Sequence, residues 1–275
     1  MEKQWERADI EWDCPADGKQ LHFKTRNVRS FFWSLLPAGA EVTIDGQQVL
    51  FNPSGGDVGA LPFTKIDGHW IDPGRAGPVG REKRADRTEK AFGICGPIDH
   101  AFMSSFVFVR PSGKPLNKVV GDWVESELGH AVTQWRAVFR GDARVVADTT
   151  VSADDIANSN LILWGDPSSN AVLKKIADKL PVKWDGKQLV FAGKTYDAAH
   201  IAPILIFPNP LNPQKYVVLN SGFTMREAAA LNNAQQTPKL PDWAIVDLNT
   251  PPDANAPGKI LRAGFFDEQW QPPAQ

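Results

Sequence analysis

The sequence predicts an α/β chain in which a small antiparallel β domain precedes an open, mainly parallel three-layer α/β domain. Three observations lead to this prediction. Residues 3–72 contain short apolar runs separated by turn residues. Residues 73–97 are rich in Gly, Pro and charged residues. From residue 102, apolar runs typical of buried strands alternate with amphipathic helical patterns, as in a parallel sheet covered on both faces.

The small β domain is predicted over residues 1–72. Leu21–Val28 alternates apolar and polar residues, as a half-buried strand does. Asp45-Gly46 separates two short apolar runs, and Asp67-Gly68 separates two more. Asp-Gly is a preferred pair at the positive φ angles of a type I′ turn, so each pair predicts a β-hairpin.

Residues 73–97 are predicted to form a linker or an exposed arm. The segment interleaves basic and acidic residues and contains few apolar residues to bury. Its basic side chains could contact an anion, but the acidic residues between them favour a solvated segment. The basic residues are Arg75, Arg81, Lys83, Arg84, Arg87 and Lys90.

Residues 98–248 are predicted to form the α/β domain. Apolar residues recur at spacings of three and four from Leu116 to Phe139, which predicts one long helix packed through Trp123 and Trp135. Asp166-Pro167 predicts the start of another helix with Asp166 as its N-cap. Buried strands are expected near residues 106, 144, 160, 204, 216 and 244, with a further helix before the last strand.

This alternation of strands and helices predicts a flavodoxin-like sheet. A Pro-rich C-terminal arm, residues 249–275, follows it. Phe265, Phe266 and Trp270 are expected to pack that arm back on the domain.

Composition restricts the classes of partner. The formal net charge of −2 over 275 residues gives no general attraction to nucleic acid or to anionic lipid, so neither is predicted as a partner. No apolar run approaches the roughly 20 residues of a membrane span. Cys14 and Cys95 form neither a disulfide framework nor a metal-binding pattern. No cofactor is predicted, and the compartment stays open, with a periplasmic or secreted precursor among the alternatives.

Catalytic machinery is not indicated by the sequence. The chain has no G-x-S-x-G motif, and Pro167 stands where the nucleophile of a GDS-type esterase motif would be. Asp99 with His100 and Asp197 with His200 could act as general-base pairs, although structural roles are favoured. The acidic residues of the long helix, which are Asp122, Glu125 and Glu127, are assigned to its solvated side. No catalytic residue and no metal ligand is therefore predicted.

Three loops are expected to meet at the carboxyl edge of the sheet. Residues 110–114, 165–170 and 220–222 each follow a predicted buried strand. In open α/β sheets such loops converge where the strand order reverses, and helix N-termini there can hold anions. The predicted ligand-binding residues are Arg110, Ser112, Lys114, Asp166, Ser168, Asn170, Asn220 and Ser221. Loop capping is the alternative role for these side chains.

Several segments carry a resemblance to a known family. The segments are GPIDHAFMSSFVFVRPSGK at 96–114, NLILWGDPSSN at 160–170, HIAPILIFPNPLNPQKYVVLNSGFT at 200–224, FFDEQW at 265–270 and TRNVRSFFWSLLPAGAEVTIDGQ at 25–47. They resemble the region that follows the catalytic α/β-hydrolase domain in large prolyl-oligopeptidase-like proteins, mainly of planctomycete and related bacteria. In that family the catalytic residues lie upstream of this region. The resemblance implies a role beside a catalytic α/β-hydrolase domain, in cis or in trans.

Three functional hypotheses follow. The leading one is a noncatalytic accessory region of a peptidase-like or esterase-like serine hydrolase, which shapes substrate access, stabilises the catalytic domain or mediates homo-oligomer formation. The second is a module that binds a small anion or a sugar at the sheet edge. The third is a free-standing hydrolase that uses His100 or His200.

Overall fold

The chain divides into two compact units, residues 1–87 and residues 88–275, each with its own apolar core. The computed structural model describes residues 1–3, 6–15, 19–34, 40–49, 61–71, 89–91 and 93–273. Most of the predicted linker lies outside the described residues, and this includes Arg75, Arg81, Lys83, Arg84 and Arg87.

The described residues of unit 1 form two small β-sheets. One has the strand order β1-β2-β4-β5 and the other β3-β6-β7. The strands are β1 (Asp9–Asp13), β2 (Gln20–Arg26), β3 (Ser30–Trp33), β4 (Glu41–Ile44), β5 (Gln47–Val49), β6 (Leu61–Ile66) and β7 (His69–Ile71).

Both predicted Asp-Gly hairpins of unit 1 are confirmed. Asp45 and Gly46 have φ angles of 52° and 82°, and Asp67 and Gly68 have φ angles of 49° and 80°, as a type I′ turn requires. The two turns join β4 to β5 and β6 to β7. The domain is not wholly antiparallel as predicted, because β2 and β4 pair in parallel.

The described residues of unit 2 form a seven-stranded sheet, a three-stranded sheet and three α-helices. The large sheet has the order β17-β16-β14-β15-β10-β8-β9, and the small one β11-β12-β13. The helices are α1 (Lys118–Phe139), α2 (Ala153–Asn158) and α3 (Ala171–Ile176). The strands are β8 (Phe106–Arg110), β9 (Val145–Ala147), β10 (Asn160–Leu163), β11 (Val182–Trp184), β12 (Gln188–Phe191), β13 (Lys194–Asp197), β14 (Ile201–Asn209), β15 (Asn212–Leu219), β16 (Trp243–Asp247) and β17 (Lys259–Gly264).

The large sheet is mixed. Strands β9, β8, β10 and β15 run parallel to one another, whereas β14, β16 and β17 pair antiparallel with their neighbours. The parallel arrangement predicted for the sheet therefore does not extend to the strand at residue 204, which runs antiparallel to those at 106 and 160. Only Pro210 and Leu211 connect β14 to β15, and so short a connection reverses the chain, since a parallel crossover needs a dozen residues or more.

Helix α1 packs on the sheet through the two predicted tryptophans. Trp123 is buried, and its indole N–H donates to the carbonyl of Pro257 at 2.7 Å. Trp135 meets the ring of Phe106 on β8 edge-on, with ring centroids 4.7 Å apart. The helix thus packs against the large sheet, and one of its faces lines the site described below.

Two predictions for the end of the chain are changed by the structure. The helix expected before β16 consists of two short 3-10 helices, Glu227–Leu231 and Asn233–Gln235. Strand β17 lies within the predicted C-terminal arm and forms an edge of the large sheet. Phe266 and Trp270 are buried as expected, whereas Phe265 is exposed.

Candidate functional site

The strand order of unit 2 reverses beside β8. The chain passes from β8 to β9 on one side of it, and then to β10 on the other side. Because β8 and β10 are parallel, their carboxyl ends leave a crevice between the outgoing loops. Open α/β folds bind ligands in such crevices.

The three predicted loops are neighbours at this edge, as expected. The N–H of Gly113 donates to the carbonyl of Ser169 at 2.8 Å. The N–H of Gly165 donates to the side-chain oxygen of Asn220 at 2.7 Å. These bonds join the loop after β8 to the loop after β10, and that loop in turn to the loop after β15.

Asp166 is buried and stabilises the loops. Its Oδ2 accepts from the N–H of Leu116 at 2.9 Å. Its Oδ1 accepts from the N–H groups of Ser168 at 2.8 Å and Ser169 at 3.0 Å. The carboxylate therefore occupies the backbone donors that an anion would need at this turn.

The N-cap of helix α3 is Asn170, not Asp166 as the sequence predicted. The Asn170 Oδ1 accepts from the N–H groups of Val172 at 3.0 Å and Leu173 at 3.1 Å. Its amide Nδ2 donates to the carbonyl of Trp164 at 2.9 Å. Pro167 instead lies in the turn that precedes the helix, since the N–H of Asn170 donates to the Asp166 carbonyl.

The remaining predicted site residues have different surroundings. Asn220 is buried at a positive φ of 53°, and its amide Nδ2 donates to the Gly165 carbonyl at 3.1 Å. The Ser221 hydroxyl donates to the Gly222 carbonyl at 2.9 Å. The exposed residues among those predicted are Arg110, Ser112, Lys114 and Ser168.

A groove of about 760 Å³ lies at the strand-order reversal, between the loop ends of β8 and β10 and one face of α1. Of the eight predicted residues, Arg110 and Asp166 line it. We call it the switch-point groove. Its apolar floor is formed by Val120, Val124, Leu128, Val132 and Val145, and its polar lining includes Asp122, Glu125, Thr133 and Ser169.

Asn220 and Ser221 line a second, smaller cavity of about 110 Å³. Its wall includes an ion pair between Glu127 and Arg226, with Nη1–Oε2 and Nη2–Oε1 distances of 2.7 and 3.3 Å. Both side chains of the pair are buried. The assignment of Glu127 to the solvated face of the long helix is therefore wrong, although Asp122 and Glu125 are exposed as expected.

Asp99 and His100 are adjacent in sequence, but their side chains have different hydrogen-bond partners. The Asp99 carboxylate accepts from the N–H and the hydroxyl of Thr224 at 2.7 and 2.8 Å, and burial raises its pKa to about 6. The His100 Nδ1 lies 2.8 Å from the hydroxyl of Tyr216, and burial lowers the pKa of this imidazole. The two groups thus belong to separate hydrogen-bond networks.

The other acid and histidine pair has long contacts. His200 Nδ1 lies 3.8 Å from Asp197 Oδ2, and its Nε2 lies 3.9 Å from Asp247 Oδ1. Within the ranges that the structure describes, no histidine hydrogen-bonds a serine. In the same ranges, no group of three or more His, Cys, Asp or Glu side chains could hold a metal ion. No helix of the described chain is long and apolar enough to cross a membrane.

The sequence prediction missed the helical wall of the switch-point groove. Val120, Val124, Leu128 and Val132 were read only as a core stripe, whereas they also floor the groove. One signal was available: α1 contains Gly121 and Gly129, although glycine inside a helix costs about 1 kcal/mol relative to alanine, and both glycines line the groove. Gly129 lines the groove, and a Cβ built on it meets no atom within 4 Å, so a side chain there would have room.

Comparisons with known proteins add no relative. No family model matches the chain, and no curated protein and no solved structure shows a significant match.

Proposed function

We propose that unit 2 is a small-ligand-binding module whose ligand occupies the switch-point groove. The observation that carries this proposal is the position of the groove, beside the carboxyl ends of β8 and β10, where the strand order reverses. The order β9-β8-β10 corresponds to the 2-1-3 order that begins a flavodoxin-like sheet, in which ligands bind at this point. A volume of about 760 Å³ lies within the roughly 300–1,000 Å³ of small-molecule sites.

The test uses a variant that fills the groove. Gly129→Leu adds a side chain where a Cβ meets no atom within 4 Å, and leucine also favours the helix. Gly141→Leu is the matched control, because Gly141 has the same open space but does not line the groove.

NMR titrations of wild type and both variants with phosphate, glucose and leucylleucine are the measurement. At least one probe should shift resonances of the α1 face and of residues 110–113 in wild type and in Gly141→Leu. Gly129→Leu should abolish those shifts. The absence of shifts with all three probes would contradict the proposal.

A second function is favoured by the quoted sequence segments: the chain serves as a noncatalytic accessory region of a serine hydrolase. The edge hydroxyls fit such a role, because the Ser169 Oγ accepts from the N–H of Asp166 at 2.9 Å and the Ser221 Oγ donates to a backbone carbonyl. These hydrogen bonds stabilise the loops in which the two serines lie. The proposed partner is a catalytic α/β-hydrolase domain, joined to this chain or separate from it, and self-association is the alternative route to an assembly.

Purified chain should then hydrolyse neither ester nor peptide substrates above a buffer control, and a fluorophosphonate probe should label no single serine. The gene sequence upstream of Glu2 supplies the positive test, since an in-frame hydrolase domain there supports the accessory role. Stoichiometric labelling of one serine, lost on substitution of His100 or His200, would instead establish the free-standing hydrolase.

A further inference from the structure

The charged residues that line the switch-point groove are one cation, Arg110, and three carboxylates, Asp122, Glu125 and Asp166. Arg110 stands at the sheet-edge end, whereas Asp122 and Glu125 project from consecutive turns of α1. Asp122 is paired with Lys118 at 2.5 Å. Within the part of the chain that the structure describes, neither the Arg110 guanidinium nor the Glu125 carboxylate makes a side-chain hydrogen bond or ion pair.

This distribution disfavours a simple inorganic anion. The Asp166 carboxylate lines the groove and is compensated only by backbone N–H groups. A simple anion would meet three carboxylates and one guanidinium in this lining, whereas a ligand that also carries a cation can offset the excess negative charge. The N–H groups of the Asp166 turn are already occupied. Lys114, which the sequence prediction placed beside Arg110, does not line the groove.

The residues of the groove floor indicate the chemical character of the uncharged part of the ligand. Four aliphatic side chains of α1 and Val145 of β9 form it, and no aromatic side chain belongs to the described lining. Such a floor favours an aliphatic group over a sugar, whose hydroxyls would lose their hydrogen bonds to water there.

We infer that the switch-point groove binds a small zwitterion with an aliphatic body, of the class of apolar amino acids and short apolar peptides. The carboxylate of the ligand pairs with Arg110, its ammonium group faces Glu125 and Asp122, and its side chains lie on the aliphatic floor. This inference rests on the ligand-binding function proposed above. A guanidinium suits the carboxylate because its planar donors match the two oxygens.

The experiment tests the contribution of each charged group of the ligand separately. The dissociation constant of the chain is measured by calorimetry and NMR for leucylleucine, for its N-acetyl form, which lacks the ammonium, and for its C-terminal amide, which lacks the carboxylate. Free leucine is a fourth probe, and its affinity relative to the dipeptide tells an amino-acid ligand from a peptide.

Three variants test which residue contacts the carboxylate of the ligand and which contacts its ammonium group. Arg110→Gln should weaken the binding of leucylleucine roughly ten-fold, which is the effect of losing one charged hydrogen bond. The same variant should leave the affinity for the C-terminal amide unchanged. Glu125→Gln should weaken the binding of leucylleucine and leave the affinity for the N-acetyl form unchanged. Lys114→Gln is the matched control at a cation of the same loop outside the groove, and it should bind as wild type does.

The possible failures are distinguishable. Equal affinity of wild type for leucylleucine and its amide, or no effect of Arg110→Gln, overturns the inference. If phosphate or glucose binds the groove and the peptides do not, ligand binding stands and the zwitterion is wrong. If no probe binds, both proposals fall together.

Discussion

At the residue scale, the pair of Glu127 and Arg226 shows why charge patterning alone misplaces a carboxylate. Glu127 lies on α1 between the exposed Glu125 and the buried Leu128, and its partner is 99 positions away along the chain. Helical periodicity places Glu127 near the boundary of the buried stripe, but it cannot reveal a distant guanidinium. Only the tertiary fold determines that this carboxylate is buried.

Arg226→Ala should lower the free energy of unfolding by about 3–5 kcal/mol, because it leaves the Glu127 carboxylate buried without its partner. Urea titration followed by circular dichroism measures the loss. The double variant Glu127→Leu with Arg226→Met should recover most of it, since a neutral apolar pair carries no desolvation cost. A loss below about 1 kcal/mol for the single variant would show that the carboxylate reaches solvent.

Asp99 should make stability depend on pH in the direction opposite to that of a typical surface carboxylate. Burial raises its folded-state pKa to about 6, above the roughly 3.9 of an unfolded chain. Its contribution is therefore fully present below about pH 4 and is lost as pH rises through about 6. Asp99→Asn keeps an acceptor and a donor for Thr224 but cannot ionise.

From pH 4 to pH 7, the stability of Asp99→Asn relative to wild type should therefore rise by on the order of 2–3 kcal/mol. Urea titrations of both proteins at half-unit pH intervals measure this difference in stability. The contributions of the other titrating groups are the same in both proteins and cancel from it. Parallel stability curves for the two proteins would show that Asp99 titrates normally in the fold.

At the scale of elements, α1 is both a core helix and the wall of the groove. Trp123→Ala should cost about 3–5 kcal/mol, because it opens a cavity beside the sheet and leaves the Pro257 carbonyl without its donor. Trp123→Phe should lose less, since it keeps most of the ring volume. The measurement is urea titration, and a loss near zero for the alanine variant would mean that the ring does not support the core.

Elements whose signals are local were predictable from the sequence. The length of α1, the two Asp-Gly hairpins and the meeting of the three edge loops follow from periodicity, turn residues and strand order. The direction of β14 was missed, although Pro210 and Leu211 leave no room for a crossover. The helical wall of the groove was missed because the same residues satisfy a core pattern.

At the scale of the whole molecule, the boundary of unit 2 lies before the end of the predicted linker. Lys90, assigned by sequence to a solvated segment, is buried and its Nζ lies 2.5 Å from Asp242 Oδ2. The same Nζ donates to the Phe266 carbonyl at 3.0 Å and lies 5.0 Å from the centre of the Trp270 ring. This contact ties the start of the unit to its last strands.

A fragment of residues 88–275 should fold alone, because the apolar core of unit 2 is formed within that range. A fragment of residues 98–275 should be less stable by about 3–5 kcal/mol, since it lacks Lys90 and leaves the fully buried Asp242 as an unpaired charge. Burial already raises the Asp242 pKa while Lys90 lowers it, so loss of the lysine should also make the shorter fragment less stable as pH rises.

The shorter fragment allows a rescue that tests the electrostatic reason itself. Asp242→Asn removes the buried charge and should restore part of the stability of 98–275. In 88–275 the same substitution removes the carboxylate that pairs with Lys90 and should destabilise the fragment. Urea titration of the four proteins gives the coupling between the lysine and the aspartate. If Asp242→Asn changes both fragments equally, the segment before residue 98 stabilises the unit by packing alone, through residues such as Ile94, and the ion pair is incidental.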